Sequence, residues 1–157
     1  IGNAMLVLLS ENTLMTRLRT NPTDIPAMVE EALRWDPPIQ CTYRRVTRDD
    51  DLEGIGVKKG DMVIPMWAGA NWDPAVFLNP EQFNIDRPMT KPHMGFGFGP
   101  HFCAGAELAR IEARIAFEEL LSRLGNITLD GRASDLTHLP SFASHGYRKV
   151  GLQFEAL

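Results

Sequence analysis

A long proline-containing stretch, from Asp73 to Gly99, limits what this chain can fold into. It carries prolines at positions 74, 80, 88 and 92 and shows neither helical nor strand periodicity. Proline lacks a backbone N–H and has a fixed φ, so it interrupts helices and central strands. A coil of this length inside a compact domain is uncommon and usually functional. We therefore expect a functional coil between regular elements.

The size and charge of the chain exclude several classes of protein. Its 157 residues suit one domain spanning residues 1–157, and 16 Lys and Arg against 20 Asp and Glu give a formal charge of −4. That balance argues against a nucleic-acid binder, which normally shows a basic surplus. The longest apolar run, Ala4–Leu9, is far shorter than the roughly 20 residues that span a bilayer. Two cysteines are too few for a disulfide framework and fit a reducing compartment such as the cytoplasm.

Four segments have the apolar spacing of helices. Three are expected near the N-terminus: one ending near Leu9, one from about Glu11 to Thr20, and one capped by Asp24 and ended by Asp36-Pro37-Pro38. The fourth and clearest runs from Ala104 to Leu124 and is expected to end at Gly125-Asn126. Its predicted apolar side consists of Leu108, Ile111, Ile115 and Leu124, joined by Phe117, Leu120 and Leu121.

Short strands are predicted between the third helix and the coil, at Tyr43–Val46, Leu52–Gly54, Gly56–Lys58 and Met62–Met66. Lys59-Gly60-Asp61 has the composition of a hairpin turn, and residues 67–71 suit one helical turn. Val150–Phe154 is the best strand candidate near the C-terminus. This order of helices, small sheets, long coil, long helix and terminal hairpin predicts an α+β fold that is mainly helical.

The residues from Phe96 to Gly105 carry the chemistry. Glycines at positions 95, 97, 99 and 105 permit positive φ and close approach of the backbone to a flat partner. Cys103 lies just before the long predicted helix, whose dipole favours a thiolate by roughly 0.3–1 kcal/mol. A thiolate in an apolar loop rimmed by phenylalanines is a good ligand for iron.

This loop resembles the haem-ligand loop of the cytochrome P450 family, whose pattern is Phe-x-x-Gly-x-His/Arg-x-Cys-x-Gly. The matching residues here are Phe96, Gly99, His101, Cys103 and Gly105. The resemblance implies that Cys103 is the proximal ligand of the iron of haem b and that His101 donates a hydrogen bond to a haem propionate. It also implies that Phe96 packs beside the sulfur and that the cofactor lies against Gly97, Ala104 and Gly105.

Two other interpretations of Cys103 stay open at this point. A cysteine that precedes a helix is more often a small buried apolar residue than a ligand. A zinc site on His101 and Cys103 is the second alternative, although the sequence lacks a Cys-x-x-Cys motif or a matching histidine pair.

A supporting network is also implied by the resemblance. Glu31 and Arg34 lie three residues apart on one helix face, which suits an ion pair, although most such pairs are weak surface contacts. In the family, a Glu-x-x-Arg pair on this helix joins an arginine from the coil, and Arg87 stands at that position. The implied role is architectural, with the three charged groups holding the coil beneath the haem.

Matching the spacing to the family places Arg44 on a haem propionate. Arg45 is the structural alternative, because adjacent strand residues point to opposite faces. By position alone, two segments correspond to substrate-lining segments of the family: Ile39, Gln40, Cys41 and Thr42, and residues 141–145.

Arg110 and Arg114 of the long helix, with Lys91, are candidates for a basic surface that binds an acidic electron donor. The favoured alternative is a solvated helix face on which Glu107 and Glu112 pair with the arginines.

The resemblance implies a haem-thiolate monooxygenase that inserts one atom of O2 into a small organic substrate. Electrons would come from NAD(P)H through a ferredoxin-type donor and its reductase. The resemblance covers only the C-terminal part of the family, because the Gly-x-Asp/Glu-Thr-Thr stretch of the oxygen-activating helix is not found and the chain begins at Ile1. We therefore expect a partial protein with little or no turnover. The alternatives are a haem-binding remnant without turnover and a structural fragment without haem.

Overall fold

The computed structural model describes residues 1–89 and 91–157 as an assembly of short helices, small sheets and one long helix. The helices are α1 (Gly2–Ser10), α2 (Asn12–Thr20), α3 (Ile25–Trp35), α4 (Trp67–Ala70) and α5 (Ala106–Arg123). The strands are β1 (Arg44–Arg45), β2 (Asp50–Leu52), β3 (Ile55–Val57), β4 (Met62–Val63), β5 (Leu124–Leu129), β6 (Asp135–His138), β7 (Tyr147–Lys149) and β8 (Leu152–Ala156). The predicted α+β class with mainly helical content is confirmed.

The hydrophobic core lies where α1, α2, α3 and α5 meet. Its buried side chains include Met5 and Leu8 of α1, Leu18 of α2, Met28 of α3 and Phe117 of α5. Burying a side chain of this kind contributes roughly 1.5–3 kcal/mol. Since α3 packs directly on α5, the core holds these two helices in a defined relation, and both carry residues of the site described below.

The third helix begins differently from the prediction. Pro22–Asp24 form a 3₁₀ turn that runs directly into α3, and Asp24 has helical dihedral angles, with φ −84° and ψ −11°. Its carboxylate makes no capping hydrogen bond and instead accepts the Nε–H of Arg17 at 2.7 Å. The expected cap is therefore wrong, because an ion pair to α2 takes the carboxylate that would have capped α3.

The long helix also differs at both ends. It begins at Ala106 rather than Ala104, and Arg123, its last residue, is followed directly by β5. Gly125 and Asn126 do not end the helix but lie within β5, where Asn126 has φ 46° and the pairing with β8 shifts register. The Gly-Asn pair that predicted a helix terminus therefore lies at a β-bulge, where Asn126 adopts the positive φ.

The predicted apolar side of α5 is only partly confirmed. Leu108, Ile111 and Ile115 are 60%, 47% and 45% exposed, whereas Phe117 and Leu121 are buried. Helical spacing identifies apolar positions but not which of them face a neighbour, and here α3 and α2 cover the part of the predicted set that includes Phe117 and Leu121.

The described residues form four two-stranded antiparallel sheets, which pair β1 with β4, β2 with β3, β5 with β8 and β6 with β7. Lys59-Gly60-Asp61 does form a turn, with Gly60 at φ 98°. However, it connects β3 to β4, which belong to different sheets, so the predicted hairpin there is wrong. The hairpin turn lies at Glu53-Gly54, because β3 pairs with β2 while β4 pairs with the distant β1.

The coil that the prolines predict is confirmed. Between α4 and the 3₁₀ turn at Gly99–His101, the described residues form only turns and bends. In the part of the chain that the structure describes, no helix is both long and apolar enough to cross a membrane.

Candidate functional site

The loop that carries Cys103 closes on itself through the backbone. We call residues 96–105 the Cys loop. The N–H of Cys103 donates to the carbonyl of Phe96 at 3.0 Å, and the carbonyl of Cys103 accepts the N–H of Ala106 at 3.2 Å. These bonds attach the loop to the first turn of α5, and the Cys103 thiol is free and exposed. An exposed thiol can bind a metal from outside the protein, whereas a cysteine buried among apolar side chains cannot.

Glycine is needed in this region for two different reasons. Gly97 and Gly99 adopt positive φ, 73° and 77°, which side chains other than glycine rarely tolerate. At Gly95 there is no room for a side chain, because a Cβ there would lie 2.6 Å from the carbonyl oxygen of Leu33 in α3. Positive φ is thus found at Gly97 and Gly99 but not at Gly105, whose φ is −92°, and the close approach at Gly95 is to α3 rather than to a flat partner.

Three phenylalanines, Phe96, Phe98 and Phe102, precede Cys103 within the Cys loop. Phe96 and Phe102 pack edge to face with ring centroids 6.2 Å apart. Phe102 is 49% exposed and Phe98 is 70% exposed, although both are large and apolar. An exposed soft ligand beside exposed phenyl rings fits a flat apolar group such as a porphyrin, and the donor set of one thiol fits its iron.

Of the remaining predicted cofactor residues, His101, Ala104 and Gly105 lie in the Cys loop, whereas Arg44 lies in β1. His101 ends the 3₁₀ turn Gly99–His101 and is exposed, while Ala104 and Gly105 connect Cys103 to α5. Arg44 is exposed in β1, and its guanidinium donates to the carbonyl of Tyr43 at 3.0 Å. Its neighbour Arg45 donates to the carbonyl of Gly60 at 3.4 Å.

Glu31, Arg34 and Arg87 are brought together by the fold. Both side chains of the Glu31–Arg34 pair are fully buried, and the guanidinium donates two hydrogen bonds of 2.8 Å to the carboxylate. The Nε of Arg87 donates to Glu31 from the coil at 3.2 Å. Because buried charges need partners, removing any of the three groups takes a charged partner away from at least one of the others.

This network also binds backbone groups of the coil. Arg34 donates to the carbonyls of Asn71 and Pro80 at 3.0 and 2.8 Å, and Glu31 accepts the N–H of Asn84 at 2.9 Å. Asn71 in turn accepts the N–H of Met94 on its side-chain oxygen at 2.6 Å. The buried charges of α3 are therefore connected, through Asn71, to the residues that lead into the Cys loop.

The predicted substrate-lining segment is held by two neighbouring segments. Ile39 and Gln40 pair with residues 143–144, and Cys41 pairs with Met66. The Cys41 side chain is buried, whereas Ile39 is exposed. Thr42 accepts the indole N–H of Trp67 at 3.1 Å, and the same indole lies next to Gly97 of the Cys loop. Trp67 thus connects the segment to the loop, a contact that the sequence does not reveal.

Another group of residues was missed by sequence reasoning. Glu30 of α3 binds His93 at 3.1 Å and accepts the Nε–H of Arg110 of α5 at 2.6 Å. Partial burial would raise the pKa of the Glu30 carboxyl, but the hydrogen bonds from His93 and Arg110 outweigh it and hold the pKa at about 2. No spacing rule relates residues so far apart in sequence, so this cluster had no signal beyond the presence of ionisable residues.

The arginines of α5 are largely engaged by carboxylates. Arg110 pairs with Glu107 as well as Glu30, in agreement with the solvated-face alternative, whereas Arg114 pairs with Glu118 rather than with Glu112. Within residues 1–89 and 91–157, no group of three His, Cys, Asp or Glu side chains is arranged to hold a metal ion. A zinc site on His101 and Cys103 would therefore have no third ligand among these residues.

Comparison with known proteins gives consistent matches. The cytochrome P450 family model matches residues 16–142. Cytochrome P450 109 of Bacillus spizizenii is 39% identical over 150 residues, which are 96% of this chain and 37% of that protein. The biotin biosynthesis cytochrome P450 of Bacillus subtilis is 41% identical over 155 residues, 99% of this chain and 38% of that protein. A solved cytochrome P450 from Chondromyces apiculatus is 33% identical, with a TM-score of 0.90 over 100% of this chain and 40% of the solved one.

Proposed function

Because the chain belongs to the cytochrome P450 family, we propose that residues 1–157 form the haem-binding part of a monooxygenase, with Cys103 as the thiolate ligand. The observation that carries the proposal is the exposed thiol of Cys103 in a loop closed by its own N–H on the Phe96 carbonyl. A buried structural cysteine would not need this exposure, and the exposed rings of Phe98 and Phe102 supply an apolar surface beside it.

The residues of the Cys loop would each bind one part of haem b. Cys103 supplies the iron ligand, and Phe96 packs beside its sulfur. Gly97, Ala104 and Gly105 keep the backbone free of bulky side chains where the ring approaches. His101 donates to one propionate, and Arg44 of β1 supplies a positive charge to a propionate, an interaction that charge assistance strengthens.

Thiolate-bound haem supplies the activation of O2, so that one oxygen atom enters an organic substrate and the other leaves as water. The protein's own contribution is to hold the ligand, to orient the cofactor and to shape the pocket. Glu31, Arg34 and Arg87 hold the coil that leads into the Cys loop. Ile39, Gln40 and Thr42 are proposed to line the substrate site, whereas the side chain of Cys41 is buried within the protein and does not face it.

The chain spans about two fifths of the length of the relatives it matches. The activity of the whole protein is therefore proposed from the family: oxidation of a small organic substrate with electrons from NAD(P)H through a ferredoxin-type donor and its reductase, in the cytoplasm. For these 157 residues alone we expect haem binding with little or no turnover, because the oxygen-activating motif of the family is not found in them.

Reduced protein under CO tests the ligand. The purified chain is supplied with hemin, reduced and exposed to CO, and thiolate-bound haem gives a strongly red-shifted carbonyl band. Cys103→Ser should lose this band, whereas Cys41→Ser, the same change at the second cysteine, should retain it. Persistence of the band in Cys103→Ser, or its absence from the unaltered chain, contradicts the proposal. Product formation with a surrogate reductase then separates turnover from haem binding alone.

A further inference from the structure

A buried histidine stands at the entrance to the Cys loop. His93 belongs to the coil, and its Nε2 lies 3.1 Å from Oε2 of Glu30. The same carboxylate accepts two hydrogen bonds from Arg110, at 2.6 and 3.1 Å. One side chain of α3 therefore ties His93 to α5, the helix that follows Cys103.

The second ring nitrogen of His93 faces the loop backbone. The N–H of Gly95 donates to Nδ1 at 3.0 Å. A ring nitrogen that accepts a hydrogen bond carries no proton, so the proton of the neutral ring is on Nε2, where the Glu30 carboxylate accepts it. The two contacts select one tautomer and one ring orientation.

The backbone around Gly95 has little freedom to move. A Cβ at this position would lie 2.6 Å from the Leu33 carbonyl and 3.0 Å from Nδ1 of His93. The preceding N–H, of Met94, is held by the side chain of Asn71 at 2.6 Å. The next residue is Phe96, whose carbonyl accepts the N–H of Cys103 and whose ring lies 4.8 Å from the guanidinium carbon of Arg110.

We propose that His93 is a positioning residue for Cys103. Its Nδ1 holds the Gly95 N–H and so fixes the direction of the adjacent Phe96 carbonyl, the group that binds the Cys103 N–H. Glu30 fixes the imidazole in the tautomer that this task requires. The inference rests on the proposed function insofar as Cys103 is the haem ligand, but the backbone geometry that it concerns exists in the protein without haem.

Two substitutions separate the functions of the two ring nitrogens. His93→Phe keeps a ring of similar shape and removes both nitrogens. His93→Asn places its side-chain oxygen near the position of Nδ1, where it can accept the Gly95 N–H, but is too short to reach Glu30. Amide hydrogen exchange of the haem-free chain, followed by NMR, reports the Gly95 and Cys103 N–H groups directly. The Leu8 amide, in the buried helix α1, serves as the reference for global stability.

In His93→Phe we expect exchange at Gly95 and Cys103 to accelerate about tenfold relative to Leu8, the effect of losing one hydrogen bond. In His93→Asn this ratio should stay at the level of the unaltered chain. Equal ratios in the unaltered chain and in His93→Phe overturn the proposal, and so does equal acceleration in both variants. Because Leu8 is followed in the same sample, a general loss of stability is seen as faster exchange at Leu8 itself and is told apart from a local effect at Gly95 and Cys103.

The reduced carbonyl spectrum provides the second measurement. After addition of hemin, His93→Phe should show a smaller share of the red-shifted band than the unaltered chain, and His93→Asn an unchanged share. If the unaltered chain shows no such band, the haem proposal fails, while the exchange ratios still decide whether His93 positions the loop. The two failures are therefore distinguishable.

Discussion

Glu30 and Glu31 are consecutive residues of α3, yet their carboxylates hold different parts of the molecule. Glu31 is fully buried and binds Arg34 and Arg87, which fasten the coil. Glu30 is partly exposed and binds His93 and Arg110, which lie on either side of the Cys loop. Since neighbouring helical positions point in different directions, one turn of α3 can support both segments.

Replacing Arg87 tests the buried network. In Arg87→Met the Glu31 carboxylate keeps Arg34 but loses a partner in a site without water access. We expect the free energy of unfolding to fall by about 3–5 kcal/mol, as for other buried ion pairs that lose one member. Urea denaturation measures the loss.

Arg114→Met is the matched control, because the Arg114–Glu118 pair is partly exposed and of the i,i+4 type. In this variant the free energy of unfolding should fall by less than about 1 kcal/mol. Similar losses in the two variants would show that the buried network contributes no more than a surface pair.

Gly95→Ala tests the close approach of the coil to α3. The added methyl would lie 2.6 Å from the Leu33 carbonyl, so the backbone must shift. We expect the free energy of unfolding to fall by about 1–3 kcal/mol, which is typical of overpacking. Gly56→Ala is the control, since a Cβ there meets nothing within 4 Å, and its effect should stay within about 0.5 kcal/mol. Thermal or denaturant unfolding of both variants checks this, and an unaffected Gly95→Ala protein would contradict the geometry.

Arg44→Ala and Arg45→Ala distinguish the two arginines of β1. If Arg44 binds a haem propionate, its loss removes a charge-assisted hydrogen bond worth about 1.5–3 kcal/mol, so haem should dissociate at least about tenfold faster. Arg45→Ala should leave the dissociation rate near that of the unaltered chain. Transfer of haem to an excess of an acceptor apoprotein measures both rates. Faster loss from Arg45→Ala alone would reverse the assignment.

The depressed pKa of Glu30 predicts a dependence of stability on pH. A carboxyl whose pKa is about 2 in the folded chain and higher in the unfolded chain binds fewer protons when folded. Its contribution is therefore complete above about pH 5 and is lost as the pH falls toward the folded value. In Glu30→Gln the decrease in unfolding free energy over this range should be smaller, by about 1 kcal/mol or less because the group is partly solvated. Denaturant unfolding of both proteins at several pH values in this range measures the difference. The same pH dependence of the unfolding free energy in both would contradict the prediction.

Local chemistry explains why much of the fold could be predicted. The helical periods of α1, α2 and α3, the prolines of the coil and the glycines of the Cys loop act over a few residues, and their consequences appear where they were expected. Two local predictions failed because a distant neighbour intervened. Asp24 does not cap α3 because Arg17 takes its carboxylate, and Lys59-Gly60-Asp61 does not close a hairpin because β4 pairs with β1.

The candidate site divides in the same way. The order of residues alone was enough to single out Cys103, His101 and Phe96, since the loop pattern is contiguous, and to suggest Glu31 with Arg34, since they share a helix face. The partnership of Glu30 with His93 and Arg110, and the link from Arg34 through Asn71 to Met94, could be found in the folded chain only. The residues in these contacts are far apart in sequence. They come within hydrogen-bonding distance only when α3, the coil and α5 pack together.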